Sequence, residues 1–159
     1  MSVVIRIGLI SDTHGIVPSG VFRAFAGVAR IVHAGDVGSL GVLDELALIA
    51  PVTAVRGNSD FDPAVVRAFP LVSMVDIAGV SLAVTHIKGR ALTVEEARRA
   101  GCDVYVSGHT HVPCVEQDDG LWTVNPGSAT HARGGSRESV GIVEVSQGVV
   151  RTVELVELY

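Results

Sequence analysis

The sequence predicts an α/β fold: a two-sheet β-sandwich with mixed parallel and antiparallel strands, flanked by helices. Three observations lead to it. Up to Asn58, near-continuous apolar runs alternate with amphipathic stretches, the pattern of β-α repeats that build a parallel sheet covered on both faces. From Leu71 onward most of the chain consists of paired apolar runs joined by short turn signals, the pattern of antiparallel hairpins. Within that second stretch, a helix signalled from Thr93 to Gly101 leads into one more strand, so both kinds of pairing are needed.

The elements follow in order. Val3 to Ile10 is a β-branched apolar run that ends at Ser11-Asp12. Ser19 is placed to cap a short helix with Val21, Phe22, Phe25 and Ala26 as its apolar stripe. Arg30 to Ala34 is a second strand, ended by Gly35-Asp36. Ser39 caps the next helix, which buries Leu43, Leu46, Ala47 and either Ile49 or Ala50; Pro51 and the strand Val52 to Val55 follow, ended by Gly57-Asn58. Leu71 to Ile77 and Val80 to Ile87 form a hairpin turning at Ala78-Gly79, and its second strand ends at His86. Thr93-Val94-Glu95-Glu96 has the spacing of a capping box, Arg98 and Arg99 complement the last turn, and Gly101 supplies the stop. Asp103 to Val106 then runs into "SGHTH", Ser107 to His111. Two further hairpins pair Val112–Gln117 with Leu121–Val124 across Asp118-Asp119-Gly120, and Ser139–Val145 with Val149–Leu158 across Gln147-Gly148.

A chain of 159 residues is the size of one domain, expected to span 1–159 without linker, repeat or low-complexity tract. Glycine, at 18 residues, exceeds its usual share of about 7%, which points to loops with unusual dihedrals or close backbone approach. The net charge of −5 offers no general attraction to nucleic acid or to an anionic membrane. Apolar stretches are interrupted by Arg6, Asp12 or glycine well short of a membrane span, and "MSVVIRIGLISD" lacks a basic leader and a cleavage site, so a soluble cytoplasmic protein is expected. Cys102 and Cys114 are too few for a disulfide scaffold and are expected to be reduced thiols near the core.

The chemistry is concentrated at the strand ends. "SDTH" supplies Asp12 and His14, "HAGD" Asp36, "RGNSD" Asn58, "THIKG" His86, and "SGHTH" His109 and His111, each group following an apolar run. Taken singly, Asp12 could cap a helix, Asp36 and Asn58 could form turns beside glycine, and His86 could be a packed core histidine. Together, seven oxygen or nitrogen donors recurring at strand ends fit one crevice better than independent turns. With one shared carboxylate they give four protein ligands to each of two divalent ions, leaving room for water and substrate. A thiolate-free set of imidazole, carboxylate and amide suits manganese first, or nickel, zinc, iron or cobalt, and the chemistry such a pair serves is phosphoester hydrolysis.

The ordered set D-x-H, G-D, G-N, H and G-H-x-H, followed by "NPGS" at Asn125–Ser128, resembles the calcineurin-like metallophosphoesterase superfamily, and within it the small bacterial and archaeal phosphodiesterases of the YfcE type. The resemblance runs from Asp12 to Ser128. It implies a two-sheet sandwich flanked by helices, with Asp12, His14 and His111 on a first metal, Asn58, His86 and His109 on a second, and Asp36 bridging them. On the same ground Asp36, Asn58 and His109 are catalytic as well as ligating, and a hydroxide between the ions would attack phosphorus in line. "NPGS" shapes a loop beside the site.

Two positions depart from the family pattern. Many members carry histidine directly after the G-N asparagine, where it helps protonate the leaving group; here Ser59 stands instead, and a serine hydroxyl is a poor acid at neutral pH. The branch resembled here also usually lacks that histidine, and it favours phosphodiesters with good leaving groups, the preference expected of this chain. Ile87 stands where relatives usually have glycine, which bears on the placement of His86 and the shape of the pocket. His33 either supports Asp36 or simply packs at its strand end; Arg56, Lys88, Arg90 and Arg133 either meet substrate phosphate or lie in solvent; His131 sits in the glycine-rich "ATHARGGSR". "GDVGSLG" lacks the spacing of a dinucleotide loop.

A small phosphodiester is therefore the expected partner, with no membrane contact, no nucleic acid, and room for a homo-oligomer. The competing readings are a non-catalytic protein-binding scaffold like the retromer small subunit, which has this fold but lacks part of the ligand set, and a phosphomonoesterase or phosphoprotein phosphatase. The filled ligand positions favour the enzyme over the scaffold, and Ser59 disfavours the monoesterase.

Overall fold

A computed structural model describes residues 2–159. In the first sheet the three β-α repeats place β1 (Ile5–Ile10), β2 (Arg30–His33) and β3 (Val52–Ala54) parallel, with α1 (Ser19–Ala24) and α2 (Leu40–Ala47) as the connections. After α3 (Pro63–Ala68) the chain builds a second sheet from β4 (Val72–Ile77), β5 (Val80–Thr85), β6 (Val104–Val106), β7 (Cys114–Asp118) and β8 (Leu121–Asn125), with α4 (Val94–Arg99) between β5 and β6. It then returns to the first sheet as β9 (Ser139–Ser146), antiparallel beside β1, and β10 (Val149–Glu157), antiparallel beside β9. The strand orders are β10-β9-β1-β2-β3 and β4-β5-β6-β8-β7, so both sheets are mixed, as expected.

Side-chain alternation divides the interior into layers. Ile7 and Leu9 of β1, with Val143 and Val145 of β9, meet Leu82, Val84, Val104, Val106 and Val124 of the second sheet in a core made only of strand residues and their flanks. The opposite face of the first sheet, carrying Ile10, Ile31 and Ile142, packs on Val21 and Phe25 of the first helical segment and Val42, Leu43 and Leu46 of α2. The outer face of the second sheet packs Ala83 and Tyr105 against Ala97 and Leu92. Each fully buried aliphatic or aromatic side chain contributes about 1.5–3 kcal/mol, so all three layers matter to stability.

The hairpin turns explain themselves. Ala78-Gly79, Asp119-Gly120 and Gln147-Gly148 all have positive φ at both residues, the requirement of type I′ turns, whose twist suits paired strands. The α4 capping box forms as expected: Thr93 Oγ1 accepts from Glu96 N at 3.1 Å and Glu96 Oε2 accepts from Thr93 N at 2.8 Å.

Several local expectations are corrected. Ser19 does not cap α1; it is the first helical residue, and Pro18 is the N-cap with no side-chain bond. Phe22 is 39% exposed and Ala26 also faces solvent, because so short a helix buries only Gly20 and Val21 before Phe25. In α2, Val42 is buried and Ala47 exposed, and Ser39 caps by its backbone position without a side-chain bond. Cys102 is buried but Cys114 is exposed, at the start of an edge strand. The sequence reading has no α3, a six-residue helix capped by Asp62 Oδ1 accepting from Ala64 N at 2.9 Å and started by Pro63. Among the described residues, no helix is long and apolar enough to cross a membrane.

Candidate metal centre

Parallel strands deliver their C-terminal ends to one edge, and here both sheets do so. Asp12 and His14 follow β1, Asp36 follows β2, Asn58 follows β3, His86 follows β5, and His109 and His111 follow β6. The loops are stitched across the sandwich: Asp12 N donates to Gly35 O at 3.0 Å, His14 N to Asp36 O at 3.0 Å, and Gly108 N to His86 O at 2.9 Å.

Five of the seven candidate ligands have left-handed backbone: Asp12 at φ 53°, His14 at 46°, Asp36 at 54°, His109 at 72° and His111 at 60°. For non-glycine residues this conformation costs about 1–2 kcal/mol each, and the other non-glycine examples among the described residues are the three hairpin turns. Strain this concentrated points to a site whose geometry the surrounding hydrogen bonds enforce. Two glycines make room for it. A Cβ on Gly108 would collide with Ser11 Oγ and stand 2.6 Å from Asp12 Oδ2, and one on Gly57 would fall on the Asp36 carboxylate.

The donor atoms converge in two groups, Asp12 with His14 and His111, and Asp12 with Asp36 and His86, each within 4.8 Å. Asp12 Oδ1 is common to both. It lies 3.1 Å from His111 Nε2 and 3.8 Å from both His14 Nε2 and His86 Nε2. Asp36 Oδ2 also faces both groups, 3.3 Å from His86 Nε2 and 3.9 Å from His14 Nε2. Asn58 and His109 stand at the rim, joined by Asn58 Oδ1 and His109 Nδ1 at 3.0 Å, with the His109 ring edge-on to His86. All seven predicted residues thus border one crevice. The four innermost are buried, His14 and His109 are half-buried, and Asn58 is exposed.

The atoms that face the crevice fit a cation. His86 Nδ1 donates to Ala34 O at 2.8 Å and His111 Nδ1 to His131 O at 2.6 Å, so in each neutral ring the Nε2 lone pair points inward, toward carboxylate oxygen. His14 Nε2 and His111 Nε2 approach to 3.3 Å. Asp12 Oδ1 and His86 Nε2 are buried with no hydrogen-bond partner among the described residues. Facing lone pairs on orphaned buried atoms are costly unless a positive charge lies between them.

The charge balance agrees. Burial alone would raise the Asp36 carboxyl, but the His86 imidazole 3.3 Å away, the Ser59 N–H at 2.8 Å and the charge of the neighbouring imidazoles outweigh it and bring the pKa down to about 2. Burial likewise opposes protonation of His86, yet the nearby carboxylates of Asp36 and Asp12 prevail and raise its pKa above the ordinary value. This is a crevice that attracts cations.

Other candidates turn out differently. His33 is wholly buried; its Nδ1 accepts from Gly35 N at 3.0 Å and its Nε2 donates to Thr13 Oγ1 at 2.9 Å, so it links the loops after β1 and β2 without a bond to the Asp36 carboxylate. Burial above all holds it neutral, with a pKa of about 3. Arg56 directs Nη1 at Val66 O and Phe69 O, capping the end of α3. Arg133 contributes a backbone N–H to His111 O at 3.1 Å while its side chain is exposed. Ile87 leaves the His86 anchor to Ala34 intact and lines a neighbouring cleft with Arg90. "NPGS" shapes its loop as expected: Asn125 donates to Gly108 O at 2.9 Å and accepts from Gly127 N, and Ser128 Oγ donates to Asp12 O at 2.8 Å.

One residue escaped the sequence reading. Asp60 is buried and accepts from Gly57 N, Gly38 N and Val37 N, tying together the loops that carry Asp36 and Asn58. The only sequence signal was the aspartate that closes "RGNSD", which also reads as a turn former.

Comparison with known proteins shows relatives in both sequence and fold. Residues 5–148 match the family model of the calcineurin-like phosphoesterase superfamily domain. A probable metallophosphoesterase of Methanocaldococcus jannaschii is 35% identical over 142 residues, 80% of this chain and 69% of that one. Phosphodiesterase YfcE of Escherichia coli is 32% identical across 84% of each chain. The solved structure of an archaeal phosphodiesterase superposes with a TM-score of 0.74 at 26% identity, covering 96% of this chain and 100% of the other.

Proposed function

The chain belongs to the calcineurin-like phosphoesterase superfamily, and from that premise we propose that it is a dinuclear, metal-dependent phosphodiesterase acting on diesters with good leaving groups. The observation that carries the proposal is the pair of donor groups sharing Asp12 Oδ1, with orphaned buried atoms turned toward the crevice. The relatives named phosphodiesterase support the choice of substrate class.

Asp12, His14 and His111 would hold one ion and Asn58, His86 and His109 the other, with the carboxylates of Asp12 and Asp36 each facing both donor groups. When bound, divalent ions, manganese foremost, supply Lewis-acid activation of water and neutralise charge on the phosphoryl group. The chain's own residues do the rest. Ala34 O and His131 O fix the tautomers of His86 and His111 so that Nε2 faces inward. The Ser59 N–H holds Asp36 Oδ1, leaving Oδ2 free toward His86 and His14. Asn58 and His109 stand at the rim, where they would meet an entering phosphate.

No side chain of the set is a good proton donor at the G-N position, since Ser59 stands there and uses its backbone for Asp36. The leaving group must depart as a stable anion, which favours aryl over alkyl esters. Metal-stripped protein, assayed with bis(4-nitrophenyl) phosphate and 4-nitrophenyl phosphate with and without added manganese, tests this beside D36N and H111A. The diester should turn over faster than the monoester, only with metal, and poorly in both variants. Absence of metal-dependent hydrolysis in the parent, or faster cleavage of the monoester, overturns the proposal.

A further inference from the structure

A cleft of about 390 Å3 adjoins the crevice on the side of Asn58 and His86, which form its inner wall. Its size falls within the usual range of small-molecule sites, about 300–1,000 Å3. Leu71 and Ile87 give it an apolar body, and none of its lining residues is acidic. It has two arginines, but they are not equivalent. Arg56 directs Nη1 at carbonyls of the α3 segment, whereas Arg90 is exposed and its guanidinium has no hydrogen-bond or ion-pair partner among the described residues. Arg90 therefore sits beside an apolar hollow next to the candidate ligands with no local acid to neutralise it.

A group esterified to a phosphate held between Asn58 and His86 has this hollow as its nearest shelter from water. We propose that the cleft binds one ester group of the substrate, and that Arg90 selects diesters in which that group is an apolar, ring-sized body bearing a second negative charge. Ile87 packs on the ring, and the guanidinium meets the distal anion by a charge-assisted hydrogen bond. The selection concerns the substituent, not the phosphoryl centre, and it rests on the phosphodiesterase reading above.

The test uses metal-loaded protein and two probes with no ester bond to cleave, phenylphosphonate and 4-carboxyphenylphosphonate, titrated calorimetrically into the parent, R90Q and I87G. The parent should bind the carboxylated probe about tenfold more tightly, the effect of one added charge-assisted bond. In R90Q that ratio should fall to about one, and in I87G both probes should weaken by about three- to tenfold while the ratio stays, as expected for lost apolar contact. Equal affinities in the parent, or a preference that survives in R90Q, overturn the assignment. Hydrolysis of bis(4-nitrophenyl) phosphate by the same preparation separates the two levels. If the parent cleaves the diester but shows no Arg90-dependent preference, the cleft assignment alone falls. If it cleaves no diester with metal bound, the phosphodiesterase reading falls, and the assignment of the cleft to an ester group falls with it.

Discussion

Replacing Asp60 by alanine should loosen the whole floor of the crevice. The residue is 5% exposed, and its carboxylate accepts from Gly57 N at 2.7 Å, Gly38 N at 2.9 Å and Val37 N at 3.2 Å. Hydrogen bonds to a charged group contribute about 1.5–3 kcal/mol each, and alanine would leave three donors facing a small cavity that water fills only in part. A net loss of about 4 kcal/mol follows, and at about 2–4 °C per kcal/mol for a chain of this size Tm should fall by about 8–16 °C. Asp60→Asn keeps one acceptor oxygen but turns an amide N–H₂ toward a backbone N–H, so it should lose about half as much. Because the three donors lie in the loops bearing Asp36 and Asn58, manganese affinity should also fall about tenfold to a hundredfold. Scanning calorimetry without metal and competition titration with metal measure the two effects separately. A D60A protein melting within about 2 °C of the parent, with unchanged manganese affinity, would refute the reasoning.

Three further outcomes follow from the same contacts. Gly108→Ala places a Cβ 2.6 Å from Asp12 Oδ2, so the Asp12 loop must shift at a cost of about 1–3 kcal/mol; manganese affinity should drop at least about tenfold, and an unchanged affinity by competition titration contradicts the close-approach argument. His33 is held neutral by burial, with a folded pKa of about 3 against the ordinary 6.5. Between those values the unfolded chain binds a proton that the folded chain does not. The His33 contribution is complete above about pH 6.5 and is lost as pH falls toward about 3, so urea unfolding of H33N from about pH 7 to about 4 should show a shallower loss of stability than the parent; equal slopes would sink the point. Asn125→Ala removes the donor to Gly108 O and the acceptor for Gly127 N, both in buried bonds, and should cost about 2–3 kcal/mol by chemical denaturation, with less than about 0.5 kcal/mol signalling that the loop holds itself.

Much of this was legible because strands and turns report themselves locally. Alternating and continuous apolar runs gave ten strands in two sheets, and X-Gly pairs marked all three type I′ turns. The seven candidate ligands were found because each follows an apolar run, and parallel strand ends share an edge. What stayed hidden depends on contacts distant in sequence. Asp60 looks like a turn residue until Val37 and Gly38, more than twenty positions earlier, are seen donating to it. The helix α3 buries only Val65 and is held by Asp62 at one end and Arg56 at the other, too little periodicity to detect in six residues. The left-handed backbone of Asp12, His14, Asp36, His109 and His111 is not legible in residue type alone: Asp and His tolerate that conformation better than most residues, but only the assembled crevice enforces it. The spacing of Asp12 and Asp36 likewise did not reveal that Asp12 Oδ1 lies in both donor groups.

That shared oxygen is the centre of the account, and metal stoichiometry tests it most directly. Metal-stripped protein titrated with manganese in a calorimeter should bind two ions per chain, and D12A, folded as judged by circular dichroism, should lose both high-affinity events because each donor group contains Asp12. A parent that binds one ion or none, or a D12A variant that still binds two with parental affinity, would contradict it.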